Sequence, residues 1–156
     1  MAKPQQIRYR CNQKNQILNK DCRNCFKSYK PHVKTSLYCS SKCQHEYQYK
    51  QYINRWLSGK ENGAKGWNQV SNHIRRWLFE KHQEKCSQCG WNTKHPVDEK
   101  CPLEVDHIDG NYHNNRPENL RLLCPNCHSL TPTYKARNHG NGRHARRERY
   151  KRGQSY

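Results

Sequence analysis

Eight of the ten cysteines fall into two sets of four, and this pattern limits what the chain can fold into more than anything else in it. Cys86-x2-Cys89 and Cys124-x2-Cys127 are two hooks separated by 34 residues, and Cys22-x2-Cys25-x13-Cys39-x3-Cys43 is a second set. A C-x-x-C turn aims two thiolates at one ion, and two such turns complete the closed tetrahedral site of structural zinc. Two structural Zn2+ sites are therefore expected. The alternative, free buried cysteines behaving as small hydrophobes, suits Cys11 and Cys101, which have no obvious partners. The chain also needs such staples. Leu, Ile, Val and Phe number 20 of 156 residues, and with a net charge of +18 that composition lies in the range of unfolded chains. So little apolar surface cannot offset the entropy of ordering the backbone. No apolar stretch resembles an export signal or is long enough to span a bilayer. The expectation is a cytoplasmic protein with no membrane partner, in a reducing compartment where clustered cysteines bind metal. The motif "CPNCH" at 124–128 also matches covalent haem attachment, but that chemistry needs export and would leave Cys86 and Cys89 unexplained.

The organisation follows from local composition. Residues 1–21 form a polar N-terminal segment, and 22–58 a zinc finger with a helix. In that helix, over 44–58, Tyr49, Ile53 and Leu57 recur at i, i+4, i+8 beside Tyr52 and Trp56. Gly59, Gly63 and Gly66 mark 59–70 as a linker, so a cut near Asn68 is expected to leave a foldable second half. Ser71 is placed to cap a second helix with an apolar face of Ile74, Trp77 and Leu78. A second cysteine-bearing region completes a domain at 71–134, and 135–156 is a basic tail.

The chain has 30 Lys and Arg against 12 Asp and Glu, yet six of the twelve acids lie between Asp98 and Glu118. "LEVDHI" suits a short strand, "NLRLLC" a second, and "GNYHNNRPE" a turn-rich loop between them. Asp106 and His107 then end the first strand, and His128 lies in the first turn of a helix. If four cysteines close a zinc site, His128 remains free for other chemistry. A carboxylate and an imidazole can hold a hard divalent ion with positions left open for a phosphate.

This arrangement resembles the HNH endonucleases of the ββα-metal fold. The matching residues are Asp106-His107, then Asn119 twelve positions later, then His128 after a further nine. The flanking C-x-x-C pairs are similar to the zinc-stabilised, phage-type branch, which includes free-standing homing endonucleases. The likeness is specific over 71–138, extends to 22–58 through "YCSSKC", and is absent from the first twenty residues and the tail. It implies a small α+β, zinc-stabilised protein in which a ββα-metal (HNH) module follows an N-terminal zinc finger and helix. It implies Asp106 and His128 as ligands of a catalytic Mg2+ or Mn2+, and His107 as general base. Asn119 is then expected to brace the loop and orient His107. The remaining acids, Asp98, Glu99, Glu104, Asp109 and Glu118, are expected to be solvated.

The implied activity is hydrolysis of DNA phosphodiesters, by nicking or double-strand cleavage, in the cytoplasm, or the host cytoplasm if the chain is phage-encoded. Arg121, Arg143, Arg146 and Arg147 are expected on the nucleic acid, giving phosphate contacts that position without specifying. Two other readings compete, a non-catalytic zinc protein that binds nucleic acid and an RNase.

Overall fold

The computed structural model describes residues 18–66, 69–138 and 151–153. Cys11, Arg143, Arg146 and Arg147 lie outside these. The chain divides into two compact units, residues 1–48 and 49–156.

In the first unit, β1 (Lys20–Asp21) and β2 (Ser28–Tyr29) pair antiparallel, Lys20 opposite Tyr29 and Asp21 opposite Ser28. The Cys22–Cys25 turn is their connection. It is held to the following loop by the Arg23 N–H, which donates to Leu37 O at 3.0 Å. Helix α1 (Ser41–Leu57) begins two residues after Cys39. The Ser40 hydroxyl accepts from the Cys43 N–H at 3.2 Å, a capping contact at an otherwise unpaired donor.

Helix α1 runs on into the second unit, where its inward residues are Tyr49, Ile53 and Trp56. The sequence periodicity points instead to Leu57, which is 48% exposed. Trp56 takes the inward place because it covers more apolar surface and because its indole N–H finds a buried acceptor, Asn115 O, at 2.7 Å. These three residues pack with Ile74, Leu78 and Leu120 in one buried cluster. Helix α2 (Asn72–Lys81) supplies Ile74 and Leu78 and is capped by the Ser71 hydroxyl, which accepts from the His73 N–H at 3.3 Å.

Residues 59–70 differ from the expected linker. They carry the antiparallel strands β3 (Ala64–Lys65) and β4 (Gln69–Val70). Gly63 has φ of +74°, and a Cβ there would lie 2.6 Å from Ile74 Cδ1 and 2.9 Å from Asn115 Cβ. Its glycine serves close packing as much as flexibility. This has a direct consequence for dissection. A chain begun at residue 68 loses Tyr49, Ile53 and Trp56 and is expected not to fold. One begun at residue 49 keeps them and should give a cooperative thermal transition by circular dichroism.

Strands β5 (Glu104–His107) and β6 (Leu120–Leu123) pair antiparallel. Glu104 faces Leu123, Val105 faces Leu122, Asp106 faces Arg121 and His107 faces Leu120. The short helix α3 (Pro125–Ser129) follows and packs on both strands. Behind them lies a second buried cluster of Leu103, Leu122, Leu123, Cys86, Cys101 and Cys124. Half of that cluster is cysteine, and Cys101 acts in it as a small hydrophobe. Among the described residues, the protein is thus small and α+β, with two buried apolar clusters and two cysteine clusters.

Candidate active site

The cysteine sets assemble as their spacing predicts. The ligand atoms of Cys22, Cys25, Cys39 and Cys43 lie within 4.8 Å of one another, as do those of Cys86, Cys89, Cys124 and Cys127. Sulfurs about 2.3 Å from a tetrahedral zinc sit about 3.8 Å apart. The observed Cys25–Cys39 and Cys89–Cys124 separations are both 3.7 Å, and Cys39–Cys43 is 3.4 Å. All are far beyond a disulfide bond of about 2.05 Å. The electrostatics point the same way. Burial pushes the Cys22 and Cys86 thiols up, but backbone N–H groups aimed at each sulfur outweigh it and bring both down to about 6. Cys39 and Cys127 are pushed up to about 12, chiefly by hydrogen bonding to the sulfurs of Cys43 and Cys89. Four thiolates cannot ionise together without a cation among them, and both donor sets fit zinc.

The second group of chemical side chains is gathered by the β5–β6 register and by α3. Asp106 is 6% exposed. Its Oδ2 accepts from Arg121 Nε at 2.7 Å, directly across the strand pair. Its Oδ1 faces His128 Nε2 at 3.6 Å, which is too long for a hydrogen bond. On the far side of the ring, His128 Nδ1 lies 2.8 Å from Glu104 Oε2. With Nδ1 donating to Glu104, Nε2 keeps its lone pair toward Asp106. Neighbouring ligands about 2.1 Å from an octahedral ion are about 3.0 Å apart. The pair therefore needs to close by only ~0.6 Å to hold a hard divalent ion, with the remaining positions open.

His107 is held separately. Its Nε2 is 2.8 Å from Asn115 Oδ1. Donation to that oxygen puts the ring proton on Nε2 and leaves Nδ1 with a lone pair. Asn115 is itself 4% exposed, with its carbonyl on Trp56 and its Cβ against Gly63. Asn119, expected to orient His107, does its work in the loop. Its Nδ2 donates to Asp109 Oδ1 at 2.9 Å and to Asn114 O at 2.8 Å, and its Oδ1 accepts from the Asp109 N–H at 3.1 Å. Asp109 also accepts from Asn111 N and Asn114 Nδ2. Burial pushes its carboxyl up, but these hydrogen bonds outweigh that effect and hold it below the usual range.

The structure therefore gathers Asp106 and His128 from opposite ends of the motif and sets His107 beside Asp106 on β5. It places Arg121, expected on phosphate, with its Nε on Asp106. Glu104 and Asp109, expected to be merely solvated, are partners of His128 and Asn119. Glu104 is the functional candidate missed in the sequence, while Asn115, which the sequence offers with His113 and Asn114 only as a weaker candidate of a turn-rich loop, reaches His107. Glu104 carried a signal, since it sits two residues before Asp106 on the same strand face.

Residues 94–129 match the family model described as HNH endonuclease. The chain is also 41% identical over 95 residues to the H-N-H endonuclease F-TflIV of Escherichia phage T5, a match that covers 58% of this chain and 40% of that relative. The chain thus spans less than half the length of the curated relative it matches. No solved structure matches.

Proposed function

We propose that this chain is a metal-dependent DNA endonuclease whose second unit is a ββα-metal module and whose two cysteine clusters hold structural zinc. The observation that supports this most directly is the convergence of Asp106 Oδ1 and His128 Nε2, 3.6 Å apart, next to a histidine whose Nε2 is held by Asn115. A Mg2+ or Mn2+ held by Asp106 and His128 would supply positive charge to the scissile phosphate and its leaving oxygen.

The protein's own groups do the rest. His107 Nδ1 accepts a proton from water as that water attacks phosphorus, and Asn115 Oδ1 on the opposite ring nitrogen stabilises the imidazolium that forms. Asn119 keeps the loop that carries Asn115 in shape, so its role is to position rather than to transfer protons. Arg121 fixes the Asp106 carboxylate with one of its five N–H donors and has others left for phosphate. The resemblance implies 5′-phosphate and 3′-hydroxyl ends.

Purified protein should nick supercoiled plasmid with Mg2+ or Mn2+ and lose this with EDTA. No nicking with either ion points to a zinc protein that binds nucleic acid without cutting it, and faster digestion of structured RNA than of plasmid points to an RNase.

Glu104 gives a separate handle on the site. A carboxylate on the far nitrogen of a metal-binding histidine orients the ring and raises its basicity, and losing it costs about 10–100-fold in metal affinity. Glu104→Gln is expected to raise the Mn2+ concentration for half-maximal nicking by about that factor. The rate at saturating Mn2+ should stay close to that of the parent. An unchanged Mn2+ titration would remove Glu104 from the site.

A further inference from the structure

The two cysteine clusters repeat one turn with different residues at its most demanding position. Gly90 follows Cys89, donates its N–H to Cys86 O at 2.9 Å and has φ of +75°. Phe26 follows Cys25, donates its N–H to Cys22 O at 2.9 Å and has φ of +58°. Glycine adopts this left-handed backbone without penalty, whereas a bulky side chain there is an outlier. Packing does not compensate the strain, because Phe26 is 78% exposed. A backbone held in this region by the turn, with a ring that is mostly exposed, points to a role outside the fold.

The surroundings indicate what it meets. Within the described part of this unit, Lys20, Arg23, Lys27, Lys30, Lys34 and Lys42 stand against the acids Asp21 and Glu46. Arg23 and Lys27 flank Phe26 closely in the chain, and both are exposed. An aromatic ring presented between cations is complementary to a polyanion that carries flat apolar faces. Nucleic acids have both features, since phosphates pair with the cations and any base can stack on the ring. A protein partner would need an acidic surface with an exposed apolar face to match it, whereas nucleic acid carries both features along its whole length.

We propose that Phe26 is a stacking wedge, and that the first cysteine cluster presents it to an unstacked or unpaired base of DNA. This rests on the reading of the chain as a DNA-acting protein, but on none of the catalytic residues.

The test uses the full chain, zinc-loaded, and a fluorescein-labelled mixed-sequence duplex with a single unpaired adenine, followed by anisotropy over a range of salt. Phe26→Gly relieves the backbone strain and removes the ring. It should keep its zinc and melt no lower than the parent, yet bind the bulged duplex about 5- to 150-fold more weakly, the range for losing one stacked base. Because no charge changes, the slope of log affinity against log salt should stay the same, and the line should shift in parallel. Phe26→Trp should retain affinity.

Equal binding by Phe26→Gly overturns the proposal, and so does a loss of zinc or a lower melting point, which would make Phe26 a packing residue. A stronger Phe26 dependence for single-stranded RNA, or a dimer that dissolves on substitution, overturns DNA as the occupant. Plasmid nicking by the parent is read in parallel. If it fails while the bulged duplex is still bound through Phe26, the nuclease reading falls and the wedge stands.

Discussion

Replacing His107 with alanine is expected to lower DNA cleavage by about 10²–10⁴-fold, the usual contribution of a positioned general base. DNA affinity should stay within a few-fold of the parent's. The separation of the two effects follows from geometry. His107 is fixed by one hydrogen bond to Asn115, so removing the ring breaks little of the fold, and the base acts only as charge develops in the transition state. The loss should appear in kcat rather than KM, with folding unchanged by circular dichroism. Cleavage by His107→Ala within a few-fold of the parent would exclude the residue from the mechanism.

The second large effect concerns metal content. Purified under reducing conditions, the chain is expected to carry two tightly bound zinc ions, measured by atomic emission. Cys89→Ser should leave one and unfold the second unit. Structural zinc sites bind with apparent energies of about 10–16 kcal/mol, as large as the whole stability of a small domain at about 5–15 kcal/mol. The buried cluster behind β5 and β6 is half cysteine, so its aliphatic residues alone cannot hold that part of the unit. A zinc content near one for the parent chain would mean that one of the two clusters is not a metal site.

Much of this architecture can be read from residue spacing. The cysteine hooks announce their own geometry because a tetrahedral ion fixes distances that no packing requirement would. The strands around Asp106 and Leu122 and the cap at Ser71 follow from short-range rules. What escapes is tertiary choice. The periodicity of α1 is satisfied by Leu57 or by Trp56, and only the buried acceptor at Asn115 decides between them. A loop with Asn111, Asn114, Asn115 and Asn119 does not reveal which amide reaches His107. That Glu104 lies against His128 depends on where α3 crosses β5, which the local sequence does not encode. The glycine-rich stretch reads as a linker because the pattern cannot separate glycines that give freedom from one, Gly63, that permits close approach.

The order of the second cysteine set along the chain has a consequence in time. Asp106, His107 and Asn119 all lie between Cys89 and Cys124, and His128 directly follows Cys127. As the chain leaves the ribosome, Asp106, His107 and Asn119 emerge before the second hook, and His128 emerges only as the hook itself is completed. Until a zinc ion joins the two hooks, these residues belong to an open loop, and holding its ends together carries an entropic cost. On the proposed reading of the site, zinc capture by the second hook is then the step that brings Asp106 and His128 together.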